Sequence, residues 1–187
     1  MMNVTETRLK GCFILEPKKI GDSRGYFFES FNEKTFRSLT GVDTVFVQDN
    51  QSFSTYGVLR GLHAQSGGYA QAKLVRVLQG RVLDVAVDIR LGSETFGEHI
   101  ALELSAENNQ QLFVPRGFLH GFVVLSETAT FFYKCDNFYN KGAEYGVKFD
   151  DPTLGIDWIL PESDLIISDK DLVLPPLVAV LEDLDNT

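Results

Sequence analysis

From residue 57 to residue 135 the chain repeats one pattern. Short apolar, β-branched or aromatic segments alternate with clusters of Gly, Ser, Asn or Glu. GVLRGLHAQ, QAKLVRVL, RVLDVAVDI, EHIALEL, QQLFVP, GFVVLS and TATFFYKC follow one another in this way. Short strands at a spacing of roughly 8–12 residues, with few helices, predict an antiparallel sandwich or barrel. The period-2 alternation is clearest over residues 82–89. Leu83, Val85, Val87 and Ile89 share one face, and Asp84 and Asp88 share the other with Val82 and Ala86. Gln79-Gly80, between two such segments, reads as a tight hairpin turn.

The flanks are less regular. Residues 11–16 and 25–31 read as strands separated by the turn-like GDSRG. Residues 32–39 suit a short helix, with Asn32 as N-cap and Gly41 just past its end, and TVFVQDN reads as a further strand. After Cys135, DNFYNKGAEYG is loop-like and DDPTLGIDW is a turn followed by a short apolar piece. The stretch ISDKDLVLPPLVAVLEDLD suits one or two short helices capped by Ser168 or Asp169. With no internal repeat or linker, residues 1–187 are expected to form one domain, with 160–187 packed on the barrel.

Charge narrows the function. Lys and Arg number 17 against 26 Asp and Glu, a net charge of −9, the opposite of a nucleic-acid-binding surface. A small anion can still be held where a few Arg and Lys converge. No run approaches the ~18 apolar residues of a membrane helix. The N-terminal MMNVTETRLKG lacks the apolar run of a secretory signal, so the cytoplasm is the expected compartment. Cys12 and Cys135 are too far apart for a metal knuckle and read as buried thiols.

Polar residues crowd one β-rich stretch, residues 48–76, and point to a lined cavity. His63 lies there, with Arg60 three residues before it and Lys73 ten after. Lys73 shares a face with Val75 and Val77, and Tyr133 shares one with Phe131 and Cys135, so both should point inward. Taken singly, each reads as a satisfied structural group. Strict alternation puts Arg60 and His63 on opposite faces, so both can line one cavity only if a bulge near Gly61 breaks the register. Pro115–Gly121 (PRGFLHG) resembles the second half of the cupin motif, in which a turn delivers a histidine into a small barrel. The matching metal-binding first half is missing, because Ala64 and Gln65 follow His63. The remaining histidine, His99, reads as exposed.

QDN (48–50), GVLRGLH (57–63), QAKLVRVLQGRVLDVAVDIR (71–90), FVPRGFLHGFVVLSETATFFYKC (113–135) and DDPTLGIDW (150–158) together resemble the dTDP-4-dehydrorhamnose 3,5-epimerase family. The resemblance runs from GDSRGYFFE to ISDKD. It implies a mainly β, cupin-type double-stranded β-helix (a jelly-roll barrel) with a few short helices. It further implies a homodimer and no metal or other cofactor. The implied reaction inverts carbons 3 and 5 of dTDP-4-dehydro-6-deoxy-D-glucose, giving dTDP-4-dehydro-β-L-rhamnose for surface polysaccharide.

By the same resemblance His63 is the base, Asp171 the carboxylate that orients it, Tyr133 the acid on the other side of the ring, and Lys73 the enolate stabiliser. Asp169 is the neighbouring alternative to Asp171; the family pattern favours Asp171. Arg24, Arg60 and Lys170 are implied for the diphosphate. Glu29, Gln48, Asn50, His120 and Glu144 are implied for the nucleotide or sugar. Tyr139 is implied to stack on the thymine, with Phe27 as a further wall. Arg24 and Glu29 are implied to act in a neighbouring subunit's site.

AQSGGYAQ (64–71) departs from the family pattern, which has an aromatic after the histidine and a proline-rich turn. This loop is expected beside the base, where it would alter the room around the sugar. Two alternatives stay open on sequence: a 3- or 5-mono-epimerase of another nucleotide-4-keto-deoxysugar, and a non-catalytic sugar-nucleotide-binding cupin.

Overall fold

The computed structural model describes residues 2–185. The chain runs β1 (Asn3–Glu6), β2 (Phe13–Glu16), β3 (Ile20–Asp22), β4 (Gly25–Phe27), α1 (Glu33–Thr40), β5 (Gln48–Thr55), β6 (Val58–Gln65), β7 (Lys73–Gln79) and β8 (Arg81–Asp88). It continues through β9 (His99–Ser105), β10 (Gln111–Val114), β11 (Phe118–Val124), β12 (Thr128–Cys135), β13 (Glu144–Gly146), β14 (Ile166–Ile167), α2 (Asp169–Leu172) and α3 (Leu177–Asp185). One large sheet has the order β1-β2-β10-β7-β12-β5 and the other β13-β6-β11-β8-β9, with β14 added to β6, while β3 and β4 form a separate two-stranded sheet. All pairings are antiparallel except that of β14 with β6. This is the expected cupin-type sandwich.

Three cores follow from the two sheets. Val75, Val77, Val82, Ala86, Phe122 and Phe131 fill the space between them. The outer face of the second sheet, carrying Leu83, Val85, Val87 and Leu119, is covered by Leu154, Trp158, Leu177 and Val180 of the C-terminal segment. The outer face of the first, carrying Leu15, Leu74 and Phe113, is covered by Phe36 of α1. β8 is therefore buried on both faces, which an antiparallel strand need not be. Asp84 and Asp88, sorted correctly to one face, point into the interior and not to water, and both have no exposed surface.

α1 forms as its sequence dictates. The Asn32 side chain accepts from Thr35 N, and Gly41 closes the helix at φ +71°. Phe31, just before the cap, packs its ring 6.0 Å from that of Phe36, a hydrophobic staple. The strand expected over 25–31 stops at Phe27, which pairs with Ile20, the first residue of its partner β3. The strand expected from Thr44 begins at Gln48, because its partner β12 ends at Cys135, which pairs with Gln48; it then continues to Thr55 through the polar QSFST.

Gln79-Gly80 is not a hairpin. β7 and β8 lie in different sheets, and Gly80 (φ +75°) turns the chain between them where a Cβ would stand 2.0 Å from Thr128 O. The loop expected after Cys135 contains β13, which pairs with β6. His99 is half-buried, not exposed, and burial and then nearby Arg8 hold its pKa down. Cys12 and Cys135 are buried thiols, pushed by burial to about 12 and about 11. Among the described residues no helix is long and apolar enough to cross a membrane.

Candidate active site

A cavity of about 420 Å³ opens between the sheets, lined by Asn50, Arg60, His63, Lys73, His120, Tyr133, Lys170 and Asp171 among others. Arg60 and His63 both reach it because β6 carries one extra residue. His63 pairs with His120 and Arg60 with Phe122, so Gly61 and Leu62 stand opposite Gly121 alone. The parity of the strand changes there, as the sequence required. Gly61 sits at φ +115°, and a Cβ on it would come within 2.7 Å of Gly121 Cα and His120 O. Only glycine fits that backbone approach. Beyond it, Arg60 Nε donates to Ser54 Oγ at 3.1 Å.

His63 Nε2 lies 2.7 Å from Asp171 Oδ1. Ser168 caps α2 through its Oγ, which accepts from Asp171 N at 3.2 Å, and the cap sets Asp171 under the imidazole. Gly61 N donates to the second carboxylate oxygen at 3.4 Å. Burial opposes ionisation of Asp171, but the His63 hydrogen bond and charge, with the Gly61 and Ser168 bonds, outweigh it and hold its pKa below the ordinary value. Asp169 does not line the cavity.

Lys73 and Tyr133 come from the facing sheet, the ammonium 5.9 Å from the phenol ring centroid. Burial lowers the Lys73 pKa; Cys135, Asp84 and Glu144 pull the other way. Among the described residues nothing accepts a hydrogen bond from its Nζ. Burial and Cys135 raise the Tyr133 pKa against the pull of Arg60 and Asn50. His120 Nε2 lies 3.0 Å from both oxygens of Asp84. Sequence reasoning missed Asp84 as part of the site, although a carboxylate on the face of Val82 and Ala86 was the available signal. Of the two caps expected for this helix, Ser168 or Asp169, Ser168 is the one found, and it seats Asp171.

At the mouth, Glu144 accepts from Tyr139 Oη at 2.7 Å and from Lys170 Nζ at 2.6 Å. These bonds hold its carboxyl below the usual range despite burial. Gln48 donates to Asn50 Oδ1 at 3.1 Å and accepts from Tyr139 N at 3.1 Å. Gln48, Tyr139 and Glu144 do not themselves line the cavity, and three further expected residues lie away from it. Arg24 pairs with Asp22 in the β3–β4 hairpin, Phe27 is 70% exposed, and Glu29 accepts from Asn32 Nδ2 at 3.1 Å. No residue of 64–72 lines the cavity either, so the atypical loop does not crowd its interior. Among the described residues no three His, Cys, Asp or Glu side chains are grouped to hold a metal ion.

A histidine seated on a carboxylate thus faces a phenol and an unpaired ammonium across one cavity. Such a set can take a proton from a carbon acid, stabilise the resulting oxyanion and return a proton from another side. Comparisons with known proteins agree. The family model described as dTDP-4-dehydrorhamnose 3,5-epimerase matches residues 6–179. The chain is 53% identical over 171 residues to dTDP-4-dehydrorhamnose 3,5-epimerase of Shigella flexneri, covering 91% of this chain and 93% of that one. It is similar to the crystal structure of dTDP-4-dehydrorhamnose 3,5-epimerase from Elizabethkingia anophelis, with a TM-score of 0.93, 61% identity, and 95% and 97% of the two chains covered. The Legionella pneumophila dTDP-6-deoxy-D-glucose-3,5-epimerase, solved in complex with dTDP-4-keto-L-rhamnose, superposes with a TM-score of 0.94 at 48% identity, covering 98% and 97%. By its sequence and its fold, this chain belongs to the dTDP-4-dehydrorhamnose 3,5-epimerase family.

Proposed function

We propose that the chain is an isomerase that converts dTDP-4-dehydro-6-deoxy-D-glucose into dTDP-4-dehydro-β-L-rhamnose, a step of dTDP-rhamnose synthesis. The observation that carries this reading is the His63–Asp171 pair facing Lys73 and Tyr133 across one cavity. The ketone at carbon 4 acidifies the C–H bonds at carbons 3 and 5. His63, with Nε2–H donated to Asp171, presents Nδ1 as the base. Lys73 stabilises the enolate oxygen, and an ammonium without a protein acceptor is suited to that task. Tyr133 returns a proton to the opposite face; its raised pKa keeps it protonated at neutral pH.

Arg60 and Lys170 hold the diphosphate, Tyr139 stacks on the base, and Gln48, Asn50, His120 and Glu144 contact the sugar or nucleotide. Arg24, Phe27 and Glu29 lie outside their own chain's cavity, which supports a homodimer in which they complete the partner's site. The chain acts as one catalytic domain in the cytoplasm.

Incubation with the 4-keto sugar nucleotide in heavy water tests the reading. Deuterium is expected at both carbons with the wild type and at neither with His63→Ala, which retains dTDP binding. Deuterium at one carbon alone marks a mono-epimerase, and binding without any exchange marks a non-catalytic protein.

A further inference from the structure

Two loops at the cavity mouth are tied together by residues that do not line the cavity. Gln65, buried at the end of β6, spends both ends of its amide on one residue: Nε2 donates to Asn140 O at 3.0 Å, and Oε1 accepts from Asn140 N at 2.8 Å. From the facing sheet, Gln48 accepts from Tyr139 N at 3.1 Å. Consecutive residues of the 136–143 loop are therefore held from both sheets. Asn137 carries the tie into the 66–72 loop, which holds most of the atypical 64–71 stretch. Its Nδ2 donates to Gly68 O at 2.9 Å, and its carbonyl accepts from Gln71 Nε2 at 2.8 Å. Tyr139 stands out from this braced loop, 53% exposed, with its hydroxyl on Glu144.

Two-point amide bonding fixes orientation as well as position. The braced residue nearest to solvent is the tyrosine that the reading above gives to the base. Resting on that reading, we propose that Gln65 and Asn137 are positioning residues for the Tyr139 wall. The 66–72 loop then sets affinity for the nucleoside diphosphate and leaves proton transfer at the sugar carbons untouched. With the tie cut, the wall is in place in only a fraction of molecules, and apparent affinity falls by that fraction.

The test compares Asn137→Ala, Gln65→Leu and Gln65→Glu with the wild type. KM for the 4-keto sugar nucleotide and Kd for dTDP by calorimetry are read beside kcat and the deuterium ratio at carbons 3 and 5. Loss of a hydrogen-bonded brace predicts KM and Kd rising together, about fivefold to tenfold in Asn137→Ala and Gln65→Leu. Gln65→Glu keeps the acceptor for Asn140 N but sets a buried carboxylate oxygen against Asn140 O, so it should raise both constants at least as much as Gln65→Leu. In all three kcat and the deuterium ratio stay within about twofold of wild type, the signature of binding shared by ground and transition states. A fall in kcat with Kd for dTDP unchanged overturns the proposal, as does a folded Asn137→Ala variant in which neither constant moves. Asn137 is half-buried at the outer end of the tie, so its variant carries the test if Gln65→Leu does not fold. A wild type that binds dTDP and exchanges no deuterium sinks the epimerase reading instead, and the dTDP arm still measures the tie.

Discussion

Asp171 lies 2.7 Å from His63 although 108 residues separate them, because the Ser168-capped turn of α2 is packed against the bulged strand β6. In the mechanism proposed above, the carboxylate selects the tautomer that leaves Nδ1 free and would stabilise the imidazolium formed if His63 takes a proton. Asp171→Asn can also bond Nε2 in the wrong sense. It should lower kcat by about 10²–10⁴-fold, while dTDP affinity by calorimetry stays close to wild type. Unchanged deuterium exchange in this variant would remove Asp171 from the mechanism.

Lys73 separates activity from stability. Among the described residues its ammonium has no hydrogen-bond acceptor, and partial burial against the cavity wall lowers its pKa beyond what nearby Cys135, Asp84 and Glu144 restore, so the charge costs folding free energy. Lys73→Met keeps the length and drops the charge. Turnover should fall by about 10²–10³-fold and the melting temperature should rise. A variant that melts lower than wild type would mean that the ammonium has a stabilising partner.

Gly61→Ala probes the bulge. A methyl at φ +115° would meet Gly121 Cα and His120 O at 2.7 Å, both of them backbone atoms that cannot step aside. The fold should lose about 2–4 kcal/mol by urea denaturation, and kcat should fall with it, since Arg60 and His63 flank the displaced backbone. A stable, fully active Gly61→Ala enzyme would refute the register argument.

Acid should unfold the protein through two named carboxylates. Burial works against ionisation of Asp88, but bonds from Arg90, Ser93 and Thr95 overcome it, and its pKa lies far below the ordinary value. Asp171 is lowered too. Groups with depressed folded pKa stabilise above the unfolded value, about 3.9, and that contribution is lost as pH falls toward the folded value. Stability by urea titration should therefore hold above pH ~5 and drop below ~4. Asp88→Asn should flatten that drop by about 1.4 kcal/mol per pH unit, one proton's worth.

Much of this molecule follows from short-range rules. Alternation predicts the faces of β8, and the inward aim of Lys73 and Tyr133 follows from the same count. Asn32 and Gly41 delimit α1 because capping involves only neighbouring backbone groups. A strand's pleat and a helix's ends are local, so the chain determines them wherever the segment comes to lie.

Sheet membership is another matter. Gln79-Gly80 has hairpin composition, yet it turns the chain from one sheet into the other, since the partners of β7 are β10 and β12. Pairing is decided by which apolar faces must be covered, a sum over residues distant in sequence. The same holds for the site. The sequence by itself determined that His63, Lys73 and Tyr133 would stand on strands and that Arg60 and His63 could meet only across a broken register. The tertiary structure alone supplied the break opposite Gly121, the 2.7 Å approach of Asp171 to His63, the burial of Asp84 beside His120, and the bracing of Tyr139 by Gln48 and of Asn140 by Gln65 from facing sheets. Each of these is a contact between segments far apart in the chain, and only closure of the barrel brings such segments together.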